Sequence, residues 1–261
     1  MSFPGTCPTC EAQGELGAEC VERVCARQGV HLIPPELAAT HLRLPASQRE
    51  PLVGQCIGDY LVIDTLGKGG FGVVLLGLQR PLFKLRAAIK LIAFEQQDER
   101  AQRLLLTKFE NEAATLAVLQ HPNIVRLLHY GTFQERPYLC MEYVPGSHTL
   151  QTEIRRLVQG SGALDAVSVR RVLEQMLHAL EEAHDQQIIH RDIKPENVML
   201  QSVKGDDWHV KLVDFGLAKV VAEHNETSIV LGTPMYMAPE QVVGHCDDGD
   251  VGLRLGLVVR D

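Results

Sequence analysis

The chain has 261 residues, 45% of them hydrophobic, which is enough for one large domain or two small ones around a substantial core and excludes wholesale disorder. A formal charge of −8 and a pI near 5.8 argue against a basic nucleic-acid-binding surface. No run of about 18 apolar residues and no basic-then-apolar N-terminal stretch occurs, so no membrane segment or secretory signal is expected and a cytoplasmic location is.

Seven Cys without an export signal point to thiols or metal ligands in a reducing compartment rather than to a disulfide framework. Four of them, Cys7, Cys10, Cys20 and Cys25, fall in a start with few apolar residues. Two readings are open for residues 1–33: a zinc-ribbon-like knuckle in which Zn²⁺ supplies the folding energy, or free thiols in a disordered leader. Cys56, Cys140 and Cys246 read as core or surface thiols. Pro34, Pro45 and Pro51 mark residues 34–56 as a linker, and the main domain begins near Ile57.

Strand-like runs follow at Tyr60–Leu66, Val73–Leu78, Ala87–Ile92, Ile124–Thr132 and Tyr138–Val144, with one helical segment among them. After residue 145 the pattern turns helical, most clearly where Val169, Val172, Leu173, Met176, Leu177, Leu180 and Ala183 recur at three- and four-residue intervals. Strands followed by helices predict an α+β, two-lobed architecture.

Gly67, Gly69 and Gly72 form a G-x-G-x-x-G pattern in which missing side chains let backbone N–H groups approach phosphate oxygens. A dinucleotide-binding turn would open a helix and meet an acidic residue about 20 positions on. Here Val73-Val74-Leu75-Leu76, a strand, follows, and then the basic Lys90, so a strand-turn-strand phosphate loop is the better reading. Glu112 falls on the apolar stripe of Phe109, Ala113 and Leu116, where a buried carboxylate needs a cation such as Lys90; a wider stripe on another side would instead leave Glu112 solvated.

The most specific signal is His190-Arg191-Asp192-Ile193-Lys194-Pro195-Glu196-Asn197, which follows the amphipathic helix and the strand-like pair Ile188-Ile189. Asp192 suits acceptance of a hydroxyl proton, and Asn197 offers an amide oxygen to a hard cation. Seventeen residues past Asn197, the strand Val210–Val213 delivers Asp214-Phe215-Gly216, whose carboxylate suits Mg²⁺ bridging ATP phosphates.

With these motifs in this order, residues 57–240, roughly seven-tenths of the chain, resemble the eukaryotic-type protein kinase family. Lys194 and Gly232-Thr233-Pro234-Met235-Tyr236-Met237-Ala238-Pro239-Glu240 resemble its Ser/Thr branch. The resemblance implies a bilobal fold, with a β-rich N-lobe over about 57–144 and a helical, partial C-lobe over 145–240. It implies ATP and Mg²⁺, and protein substrates bearing Ser or Thr hydroxyls. Lys90 would hold the α- and β-phosphates and pair with Glu112. Asn197 and Asp214 would hold Mg²⁺, Asp192 would be the catalytic base, and Lys194 would steady the γ-phosphate. Leu66, Val74, Ala88 and Met199 would sandwich adenine, Met141 would be the gatekeeper, and Glu142, Tyr143 and Val144 the hinge. Leu116, His190 and Phe215 resemble members of a hydrophobic stack, which gives His190 a packing role. Arg191 resembles the residue that binds an activation-segment phosphate, for which Thr227 and Ser228 are the candidate acceptors; ordinary solvated loop residues are the open alternative.

Beyond Glu240 the family continues through several helices, whereas 21 residues remain here. Residues 241–261 therefore read as a divergent tail that leaves the C-lobe incomplete. Two functions follow as expectations: a Ser/Thr protein kinase, supported by the full set Lys90, Glu112, Asp192, Asn197 and Asp214, or a catalytically impaired nucleotide-binding or interaction module.

Overall fold

The structure, a computed structural model, describes residues 3–69, 72–93, 106–107, 109–111, 113–114, 116–160, 162–190, 192–215 and 236. They belong to two compact units. One comprises the chain up to residue 93 together with Leu127–Tyr143; the other holds residues 106–126 and the chain from Val144 onward. No described helix is long and apolar enough to cross a membrane.

The first unit opens with a hairpin of β1 (Pro4–Thr6) and β2 (Gln13–Glu15), then α1 (Arg23–Arg27) and α2 (Pro35–Arg43). The stretch expected to be a linker thus holds a helix, and its Ala38, Leu52 and Val53 are buried in the main core. The prolines flank this helix instead of breaking it. Pro34 is its N-cap and Pro35 its first residue, where a missing N–H costs nothing, and Pro45 follows the C-cap.

Six antiparallel strands then form one sheet in the order β3-β4-β5-β6-β8-β7. They are β3 (Cys56–Ile57), β4 (Tyr60–Gly69), β5 (Gly72–Gln79), β6 (Arg86–Ile92), β7 (Leu127–Phe133) and β8 (Arg136–Glu142). The alternation of side chains sorts the residues by face. Leu75, Ile89 and Cys140 lie opposite one another and are fully buried, with Ile33, Ile57, Leu61 and Ile63 in the same core. The strand expected to start at Ile124 starts at Leu127, because Ile124 instead makes a parallel bridge to Leu212 in the second unit.

The second unit contains α3 (Leu150–Gln159), α4 (Ala166–Asp185) and a three-stranded sheet of β9 (His148–Thr149), β10 (Val198–Val203) and β11 (Asp206–Leu212). Described residues from 106 to 116 are helical, with Phe109 and Ala113 fully buried. Asp165 caps α4 by accepting the amides of Val167 and Ser168, each at 2.9 Å. The buried stripe of α4 is Val172, Met176, Ala179, Leu180 and Ala183, narrower than expected, since Val169 and Leu177 are exposed. It packs on Val198, Leu200, Val210 and Leu212. Ile188-Ile189 forms no strand: Gln187 turns the chain with a positive φ of 61°, and only Ile188 enters the core.

Candidate active site

In the first unit, Gly67 and Gly69 end β4 and Gly72 begins β5, pairing Gly69 with Gly72. Gly72 has φ 126°, and a Cβ there would meet Leu91 O at 2.0 Å, so position 72 admits no side chain. Leu66 sits in a register shift of β4 and is exposed. Val74 lies opposite Lys90, and Ala88 lies opposite Met141. With two-residue periodicity, Val74, Ala88, Lys90 and Met141 therefore share one face of the sheet, opposite to that of Leu75, Ile89 and Cys140. Lys90 is buried, at 9% exposure, among half-buried Val74, Ala88 and Met141. Glu142 ends β8, with Tyr143 just after it. Glu112, expected to pair with Lys90, lies outside the described residues, as do Arg191, Thr227, Ser228, Cys246 and the tail.

In the second unit, a buried amide network fixes β11 to α4. Asn123 Nδ2 donates to Gln175 Oε1 and to Val210 O, both at 2.8 Å. Gln175 in turn donates to Trp208 O at 2.7 Å and accepts Val210 N–H at 3.0 Å. Strand β11 then hands the chain to Val213, whose N–H donates to Asn197 O at 3.0 Å, and to Asp214, which adopts a positive φ of 60°.

The loop after α4 is organised by His190. This side chain is 1% exposed and stacks on Phe215 with ring centroids 4.4 Å apart. Nε2 lies 3.0 Å from Val213 O and so carries the proton, while Nδ1 accepts Asp192 N–H at 3.3 Å. Burial pushes the imidazole down to about 4, only partly offset by Asp192, Val213 and Asp214, so the ring is neutral and fully used in hydrogen bonds. Its packing role holds.

Asp192 Oδ2 receives Lys194 Nζ at 2.9 Å and Asn197 Nδ2 at 2.9 Å. Asn197, buried in a 3-10 turn (Pro195–Asn197), also donates to Asp192 O at 2.8 Å. Its amide hydrogens are therefore turned onto Asp192, and the group left to meet a cation is its oxygen. A neutral amide oxygen with the Asp214 carboxylate fits a hard dication such as Mg²⁺. Met199 follows in β10, half-buried between buried Val198 and Leu200. Val144, the last expected hinge residue, is buried in this unit.

The four N-terminal cysteines converge as well. The sulfurs of Cys7, Cys10, Cys20 and Cys25 all lie within 4.8 Å of one another, with Cys10 and Cys20 at 3.4 Å. Burial pushes the Cys20 thiol up to about 11 and the Cys25 thiol further up, while neighbouring hydrogen bonds outweigh burial at exposed Cys10 and hold its thiol down. The Asn123–Gln175 network and strand β10 were not foreseen from the sequence. An Asn after His121-Pro122 and a Gln on the polar side of a helix carry no local pattern that joins them.

Comparison with known proteins agrees with this geometry. The sequence model of the protein kinase domain matches residues 60–251. Serine/threonine-protein kinase Pkn1 of Myxococcus xanthus is 35% identical over 216 residues, covering 80% of this chain and 29% of that protein. PrkC of Bacillus subtilis is 31% identical over 196 residues, covering 74% and 28%. The chain thus spans about a third or less of the length of such curated relatives. Among solved structures, the PknI kinase domain of Mycobacterium tuberculosis is 26% identical with a TM-score of 0.57, covering 74% of this chain and 68% of that one. Rad53 1–466 in complex with AMP-PNP is 30% identical with a TM-score of 0.55, covering 71% and 43%. The chain belongs to the eukaryotic-type serine/threonine protein kinase family.

Proposed function

We propose that this chain transfers the γ-phosphoryl group of ATP to Ser or Thr hydroxyls of proteins in the cytoplasm, through a kinase domain spanning 57–240. The observation that carries the proposal is the setting of Asp192, whose carboxylate is held by Lys194 and Asn197 and whose backbone is held by His190. The substrate hydroxyl oxygen attacks the γ-phosphorus, the bond to the β,γ-bridging oxygen breaks, ADP leaves, and the hydroxyl proton passes to Asp192. Lys194, already on Asp192, steadies the charge of the γ-phosphoryl. Asn197 Oδ1 and Asp214 would hold Mg²⁺, which when bound neutralises phosphate charge.

Backbone N–H groups at Gly67, Gly69 and Gly72 cradle the phosphates, and Lys90 holds the α- and β-phosphates with Glu112 as its partner. Leu66, Val74 and Ala88 of the first unit would pack on adenine beside Met141, Met199 of the second unit is a further candidate for that contact, and the backbone of Glu142 to Val144 would bond the adenine edge. The nucleotide carried by Rad53 supports an adenine-nucleotide substrate. Thr227 and Ser228 are the proposed activation-segment phosphate acceptors.

The test is transfer of labelled γ-phosphate from Mg-ATP by the purified chain to itself and to a generic Ser/Thr substrate. Transfer that disappears in both Lys90→Met and Asp214→Ala is expected. A folded chain that binds nucleotide without consuming it would overturn the transferase reading in favour of a binding module.

A further inference from the structure

We propose that Cys7, Cys10, Cys20 and Cys25 bind one Zn²⁺ in a closed, four-thiolate structural site, and that this ion clamps the first thirty-three residues onto the sheet that carries the glycine-rich turn. The four sulfurs come from three separate pieces of backbone. Cys7 and Cys10 flank a tight knuckle in which Cys7 N–H donates to Ala12 O at 2.8 Å and Cys7 O accepts Glu11 N–H at 3.2 Å. Cys20 lies past β2, its N–H on Val30 O at 2.9 Å, and Cys25 is the buried residue of the five-residue α1. A tetrahedral zinc with Zn–S near 2.3 Å needs sulfurs about 3.8 Å apart. Mutual separations within 4.8 Å meet that need with small adjustments.

Apolar packing around the four thiols is sparse. The local core consists of Cys7, Cys20 and Cys25 themselves with Val30 and Leu32, so three of its five buried side chains are thiols. A segment with so little apolar surface to bury draws little stability from packing, and a structural metal supplies it. Four protein ligands leave no open position, which makes the site structural rather than catalytic.

The link to the sheet is direct. Thr6 and Ile33 exchange both backbone hydrogen bonds, and Ile33 is fully buried in the same core as Ile57, Leu61 and Leu75. Gly54 joins the two regions: it accepts His31 N–H at 2.7 Å and donates to Val62 O of β4 at 2.9 Å. A Cβ on Gly54 would meet Pro8 Cγ at 2.9 Å, so the knuckle between Cys7 and Cys10 rests on its backbone. On the far side, Phe83, from the β5–β6 connection, lies over Gly17 so closely that a Cβ there would meet the ring at 2.1 Å.

The test uses the full chain, purified without chelator or added metal. Elemental analysis should find about one zinc per chain, released by a mercurial that titrates thiols. Cobalt should replace it with the intense thiolate charge-transfer band of a tetrahedral four-sulfur site. Cys10→Ser, at the one exposed ligand, should lose most of the zinc, whereas Cys56→Ser and Cys140→Ser should retain it. Iron in place of zinc, a mass deficit showing disulfides, or a metal-free folded chain with four freely reactive thiols would each overturn the site.

Hydrogen exchange before and after zinc removal tests the clamp. Faster exchange in β4 and β5 as well as in the first thirty-three residues is expected, and unchanged exchange in β4 and β5 would overturn it. None of these readouts depends on phosphoryl transfer, so the kinase assignment and the zinc site stand or fall separately.

Discussion

Asn197 directs its side-chain amide onto Asp192 twice, to the backbone carbonyl at 2.8 Å and to carboxylate Oδ2 at 2.9 Å. One residue therefore orients the proposed base and presents its remaining oxygen to a cation. Asn197→Ala removes both functions and is expected to lower kcat about 100-fold or more. Asn197→Asp replaces a donor with a second carboxylate against Asp192, which disfavours the ionised base and shifts the acid limb of the pH–rate profile upward. Steady-state kinetics across pH on both variants checks this, and an unshifted acid limb in Asn197→Asp would count against Asp192 as the base.

Lys90 is a buried cation on the sheet face shared by Val74, Ala88 and Met141. Methionine reproduces its aliphatic stem without the ammonium group. Lys90→Met should therefore still fold, with a stability loss of about 1–3 kcal/mol from the polar partner left without the ammonium group. The same variant should lose phosphoryl transfer by roughly 100-fold or more. Calorimetry beside a transfer assay separates the two, and a collapsed midpoint would recast Lys90 as a structural residue.

The legible parts of this molecule were those written in short-range pattern. Short apolar, strand-like runs place β4, β5, β6 and β8, and the spacing of Asp192, Lys194, Asn197 and Asp214 marks the loop. What escaped depends on partners far apart in the chain. Asn123 reaches Gln175 across 52 positions and Val210 across 87, and no local signal marks such a pair. Helix α2 escaped for another reason: prolines at its start and after its end look like breakers in a composition count, although each occupies a position where a missing N–H does no harm. The four cysteines were visible as a cluster, but their convergence required the β1–β2 hairpin and α1 to bring Cys20 and Cys25 back to the knuckle.

His190 gives stability a defined pH dependence. In the folded chain burial lowers its pKa to about 4, from the ordinary imidazole value of 6.5. Between those values the unfolded chain binds a proton that the folded chain does not, so stability rises with pH across this window and is fully present above it. The loss on descending through the window is on the order of 3 kcal/mol. His190→Phe should be less stable at pH 7, because Val213 O and Asp192 N–H lose their partner, yet its decline from pH 7 to pH 5 should be shallower. Urea denaturation at the two pH values measures the difference, and parallel declines would exclude His190 as the source.

Glu50 holds the glycine-rich turn from outside the sheet. Its Oε2 lies 2.7 Å from Nζ of Lys68, between Gly67 and Gly69, and its Oε1 accepts Leu52 N–H at 3.4 Å. Glu50 is buried whereas the Lys68 side chain is more than half exposed, so solvent screening limits the attraction itself to about 1 kcal/mol or less. The larger effect should be on turn position. Freed of this tether, the turn has more conformations to lose when phosphates bind, so Lys68→Ala and Glu50→Gln should each raise the KM for ATP severalfold with kcat nearly unchanged. Because both substitutions cut the same link, the double variant should be little worse than either single one. Initial-rate kinetics on the four proteins tests this, and fully additive increases in KM would show that the two residues act independently.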